Sequence, residues 1–213
     1  AIVLCLAASP TVFAAEKKPA EPAKATAGPP AAPEVIPLAD IAAKATEVST
    51  LVGSLTTSAA PSAQIENIAK SLPDLSERLN AQSAETKSIL QTEPTLETLQ
   101  ALQQQWQRSQ LDTTAWLNTL TQQATKLQDG LNQLAELQNT WNSTRAAAEA
   151  SKAPGPILQQ IDATLTNISE AQATLQTERT AVLDLQSRVA KEVTKCTTAV
   201  AEIGQYQQKV VAG

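Results

Sequence analysis

The chain has 213 residues, a net charge of -5 and a pI near 4.9, with only 2% aromatic residues and no His. So few large rings cannot fill a thick core, which favours thin helical seams, and an acidic chain without a Lys/Arg cluster argues against nucleic acid as a partner. Lacking His, a phosphate loop, metal-ligand spacing and a nucleophile beside a base, the sequence offers no catalytic, cofactor-binding or metal residue. It offers no evident small-molecule ligand either, and it reads as a non-enzyme.

Residues 1–8, AIVLCLAA, are an apolar run, and Val12-Phe13-Ala14 ends in residues suited to signal-peptidase cleavage after Ala14. Residues 1–14 are therefore expected to be the remnant of a secretory signal, the alternative being a ragged hydrophobic terminus. The run is shorter than the ~20 residues a membrane span needs. Cleavage would remove Cys5 and leave Cys196 alone, either as a small buried apolar residue or as an intermolecular disulfide partner. The Pro/Ala-rich segment 15–37 reads as a disordered linker, because it has too little apolar surface to offset the entropy of ordering.

Residues 38–92 are expected to form a small bundle of shorter helices. Ile41, Ala45, Val48, Val52 and Leu55 share one helix face over 38–57. Pro61 stands where a first helical position is expected, followed by Ile65, Ile68 and Leu72. Pro73 is expected to end that helix, with Leu75, Leu79 and Leu90 on a third piece. Thr92-Glu93-Pro94-Thr95 is the next break, where Thr92 or Thr95 can cap the helix that follows.

From 95 to 211 the pattern is a heptad. Steps of seven give Trp106, Thr113, Leu120, Leu127, Leu134 and Trp141, then Ile161, Ile168, Leu175, Val182, Val189, Cys196, Ile203 and Val210. Only Thr113 is polar among them. A sustained period of 3.5 keeps one stripe facing a partner when helices supercoil to the left. Ala153-Pro154-Gly155-Pro156 supplies a turn, with Gly155 free to take a positive φ, and so short a link favours antiparallel neighbours. The expected fold is all-α: a long antiparallel coiled-coil hairpin over 95–211 with its turn at 153–156. Gly130 costs ~1 kcal/mol in the first rod without stopping it.

A second stripe is assigned to Gln110, Leu117, Ala124, Leu131 and Gln138, and on the return helix to Leu165, Gln172, Arg179, Gln186, Val193, Val200 and Gln207. Its polar members imply either a moderately stable hairpin or a face that meets another helix. Trp106 and Trp141 are expected in the core, and Trp116, one position off, at an edge, an interface or a headgroup layer. Arg145, Glu178, Arg179 and Arg188 read as solvated or seam-flanking charges. The sequons at Asn142 and Asn167 fall inside helix pattern and are discounted.

Leu102-x-x-x-Trp106, Trp116-Leu117-x-x-Leu120-Thr121 and Leu134-x-x-Leu137-x-x-x-Trp141-x-x-Thr144 are followed by Ala153-Pro154 and Ile157-x-x-x-Ile161-x-x-x-Leu165-x-x-Ile168. With Val182-Leu183-x-Leu185-Gln186-x-x-Val189, these residues between Leu99 and Gln208 resemble the N-terminal periplasmic region of long small-conductance mechanosensitive channel (MscS-like) family proteins. The resemblance implies an exported fragment on the periplasmic side of the bacterial inner membrane. It implies other subunits of the same protein as partners, close to the membrane, and a pore that opens under bilayer tension but is built from residues outside this chain. No pore or gating residue is carried over. The alternative is a free periplasmic or secreted coiled-coil scaffold that binds a partner helix.

Overall fold

In the computed structural model the described residues are 34–212. The expected signal remnant, Cys5 and most of the expected linker lie outside them. A 3-10 turn at Leu38–Asp40 leads into α1 (Ile41–Ala59), α2 (Ala63–Leu90), α3 (Leu96–Ala150) and α4 (Gly155–Ala212). At ~1.5 Å per residue, the 55 residues of α3 make a rod about 80 Å long.

α3 and α4 form the antiparallel hairpin. Thr95 caps α3 by accepting from the Thr98 backbone N–H (3.3 Å), so of the two candidate caps Thr95 serves. At the far end the left-handed residue is Lys152 (φ 56), not Gly155. The Lys152 N–H donates to the Glu149 carbonyl and the Ala153 N–H to the Ala148 carbonyl, both hydrogen bonds of a Schellman ending. Pro154 then blocks continuation, and its carbonyl accepts from the Ile157 N–H to start α4. Gly155 is simply the first helical residue.

The heptad stripe is the centre of the rod. Trp106, Thr113, Leu120, Leu134, Trp141, Ile161, Ile168, Val189, Cys196 and Ile203 are fully buried, and Leu127 and Leu175 nearly so. Val210 departs from this expectation: it is 45% exposed, so the buried stripe ends at Ile203.

α1 and α2 lie end to end along the hairpin and make the rod three helices thick. The Ile36 N–H donates to Thr144 Oγ1 (3.0 Å) near the turn, so the last residues of the expected linker are tied to the hairpin. α1 packs mainly on α4, and α2 on α4 and α3, with the α2 end reaching the start of α3. The stretch expected as two helices, broken at Pro73, is one helix of 28 residues. Pro73 and Ala69, whose carbonyl loses its donor there, are both exposed. The carbonyl left without its donor therefore lies on the open side of α2, where solvent can reach it, and buried Leu72 and Leu75 on either side hold the chain in place. Pro61 is also displaced from its expected role: Ser62 is the cap, accepting from the Ile65 N–H.

The buried residues fall into two cores. A turn-side core joins α1 and the start of α2 to Leu120, Leu127, Leu134, Trp141 and the facing half of α4. An open-end core joins Leu75, Leu79 and Leu90 to Leu99, Leu102, Trp106, Cys196, Ala199 and Ile203. Trp116 is half-buried and packs against both, which places it inside the bundle's own contacts.

Candidate functional site

The least ordinary chemistry in the rod is a polar layer where the two cores meet. Three residues beyond stripe positions of α4 come Thr164, Ala171, Leu185, Glu192 and Ala199, all buried. These face the N-terminal helices, and Glu192 brings a carboxylate among them. Ser76 Oγ donates to Glu192 Oε1 (2.9 Å), while Lys195 Nζ donates to Glu192 Oε2 (2.6 Å) and Asn80 Oδ1 (2.7 Å). A buried carboxylate needs both an opposite charge and hydrogen bonds to fill its remaining lone pairs. α2 and α4 supply them jointly.

One step from that layer lie Cys196 and Thr113. The Thr113 hydroxyl donates to the Ser109 carbonyl (2.8 Å), which meets its need without a partner helix and lets a polar residue sit fully buried on the stripe. Burial pushes the Cys196 thiol above its ordinary pKa, and a hydrogen bond with Thr113 opposes that only in part. The thiol is thus a protonated, packed group, the bland one of the two expectations for it. Further down, Trp106 Nε1 donates to Thr86 Oγ1 (2.9 Å), both residues being buried. Gln82 Nε2 is buried with no acceptor.

A groove of about 410 Å³ opens onto the layer, lined by Pro73, Ser76, Asn80, Arg188, Lys191 and Glu192 among others. A larger one, about 590 Å³, lies between α1 and α3 over Val48, Leu51, Leu137 and Trp141. Among the described residues no group of three or more His, Cys, Asp and Glu side chains is arranged to hold a metal ion.

The stripe assigned as the second seam is neither core nor surface. Gln110, Leu117, Ala124, Leu131, Gln138, and on α4 Leu165 through Gln207, are all half-buried. They line the outer margin of the α3/α4 contact and are bridged across it. Gln186 Nε2 donates to Thr121 Oγ1 (2.8 Å), Gln172 Nε2 to Gln138 Oε1 (3.2 Å) and Gln207 Nε2 to Gln103 Oε1 (2.8 Å). Arg145 joins Asp162 (2.6 Å) and Glu149 (2.8 Å). Arg179 is half-buried, with Nε lacking an acceptor. The face of α4 that meets α2 is the one at Glu192, which apolarity alone did not mark. No protein-family model, curated protein or solved structure matches the chain.

Proposed function

We propose that the chain is a non-catalytic, extramembrane helical rod belonging to an MscS-like mechanosensitive channel protein, placed on the periplasmic side of the inner membrane. The family rests on the resemblance carried by the residues between Leu99 and Gln208. The observation that carries the mechanical part is the continuous three-helix rod into which those residues fold. Hydrogen bonds along the outer margin of α3 and α4 and in the polar layer tie its helices together, an arrangement suited to acting by length and shape. No helix of the described residues is long and apolar enough to cross a membrane, which agrees with a position beside the bilayer. Other subunits of the same protein are the proposed partners.

The coding sequence beyond Gly213 tests this directly. Several encoded apolar spans, together with poorer survival of osmotic downshock when the gene is deleted, are the expected result. A stop codon at that point removes the channel reading.

A free periplasmic or secreted scaffold is the second reading, favoured by one observation: the seam amides find their partners within the chain, so the rod is self-contained. A monodisperse, elongated monomer in sedimentation of the 213-residue chain supports it. Aggregation counts against it.

A further inference from the structure

Along α2 the inward residues change character at Pro73. Before it, Ile65, Ile68 and Leu72 are buried aliphatics in the turn-side core. After it, Gln82 and Thr86 alternate with Leu75, Leu79 and Leu90, the three leucines being buried in the open-end core. Ser76 and Asn80 flank these and reach Glu192 and Lys195. Beside those leucines, three hydrogen bonds that the half before Pro73 lacks hold this half-helix to the hairpin, and water replaces such bonds at small net cost once the groups are exposed. Gln82 gains on release, because its buried Nε2 has no acceptor where it stands. Pro73 removes one rung of the helical ladder at the changeover, and at the other end Glu93 takes a left-handed turn (φ 51) into Pro94.

We propose that residues 74–90 are a strap: they lift from the α3/α4 hairpin as one unit, hinged at Pro73, while the turn-side core stays closed. The hairpin beneath keeps its own cross-helix bonds, Gln103 with Gln207 and Gln110 with Thr197, so it does not need the strap to stay paired. Lifting breaks the Thr86–Trp106 and Ser76–Glu192 bonds together and uncovers Cys196, buried in the open-end core. The strap rests on this packing alone and not on the channel reading.

Hydrogen exchange on the full chain under native conditions tests it. Amides of 74–90 should exchange on the order of 100-fold faster than those of 63–72 and of α1, as a subglobal unit does. In a Cys5→Ser variant, Cys196 should be labelled by a thiol reagent at the opening rate of that same segment, which separates lifting from a helix that unwinds in place. Gln82→Leu should slow both readouts on the order of tenfold and leave α1 exchange unchanged. Exchange of all of α2 as one block, labelling of Cys196 only with global unfolding, or equal slowing everywhere in Gln82→Leu would each overturn the strap.

Discussion

The turn-side and open-end cores are built on the same heptad and differ in what fills it. Around Leu127 and Leu134 the fillers are aliphatic, and α1 lies close because the facing residues are small. At Gly130 an added Cβ would meet Leu175 Cδ2 at 2.7 Å and Leu55 Cδ2 at 3.5 Å, so three helices converge on a residue with no side chain. In the open-end half, Thr86, Gln82, Ser76 and Glu192 share the interior with leucines. Apolar burial is non-directional and sets stability without fixing how far one helix slides past another. Buried hydrogen bonds are directional, and a one-turn slip of α2 would strand Glu192 and the Trp106 indole at once. The comparison yields a division of labour, with stability from one end and register from the other.

The largest expected effect breaks the turn-side core. Leu127→Asp puts an unpaired carboxylate between α3 and α4 and should cost roughly 3–5 kcal/mol, with loss of much of the helical circular dichroism signal. An unchanged melting temperature would refute the pairing. Next, Leu134→Ala should cost about 4 kcal/mol in urea unfolding, since Leu134 is fully buried in the turn-side core that α1, α2, α3 and α4 build together. Leu79→Ala should cost only about 2 kcal/mol, because the strap settles into the space or lifts away. Equal costs would erase the distinction between the cores.

Gly130→Ala sets two effects of similar size against each other. Alanine favours the helix by ~1 kcal/mol over glycine, whereas forcing a methyl group against Leu175 costs roughly 1–3 kcal/mol. Leu175 is itself only 1% exposed and has little room to turn, so overpacking wins. The expected result is a net loss of about 1 kcal/mol in denaturant unfolding. A gain would show that the three-helix junction is looser than the geometry requires.

What the sequence showed of this fold was the part written in apolar residues. The central stripe, the hairpin and the turn region were legible because a seven-residue period of Leu, Ile, Val and Trp, held over this many turns, stays on one side only of helices that wind around each other. The face of α4 toward α1 and α2 was not. Thr164, Ala171, Glu192 and Ala199 read as polar or small, and they are buried because residues about a hundred positions earlier in the chain satisfy or cover them. Pro73 misled for a related reason, since local sterics predict a break and only the exposed position of Ala69 shows why none is needed. At the turn, Gly155 was the residue expected to turn left-handed, while the Schellman hydrogen bonds place that conformation on Lys152. As for the candidate site, the polar layer is a property of the assembled helices, since Ser76 and Asn80 reach Glu192 and Lys195 only once α2 lies on α4.

The smallest prediction sharpens the margin of the hairpin. Stepping 11 residues from Gln110 to Thr121 on α3 matches 11 from Thr197 back to Gln186, and 24 more to Arg145 matches 24 back to Asp162. The register is therefore constant, and Gln128, seven beyond Thr121, stands opposite Arg179, seven before Gln186. Gln128 is half-buried and bonded to Asn132 along its own helix (2.9 Å), so acidic substitution there is more than a neutral surface change. Gln128→Glu offers Arg179 the acceptor that its Nε lacks. An exposed cross-helix pair is worth about 0.5 kcal/mol, and partial burial keeps some of that from being screened. The melting temperature should rise slightly in low salt and lose most of the gain at about 1 M salt, where charges are screened beyond ~3 Å. A fall in low salt would mean that Arg179 and residue 128 do not face each other, and that the register drifts between Thr121 and Arg145.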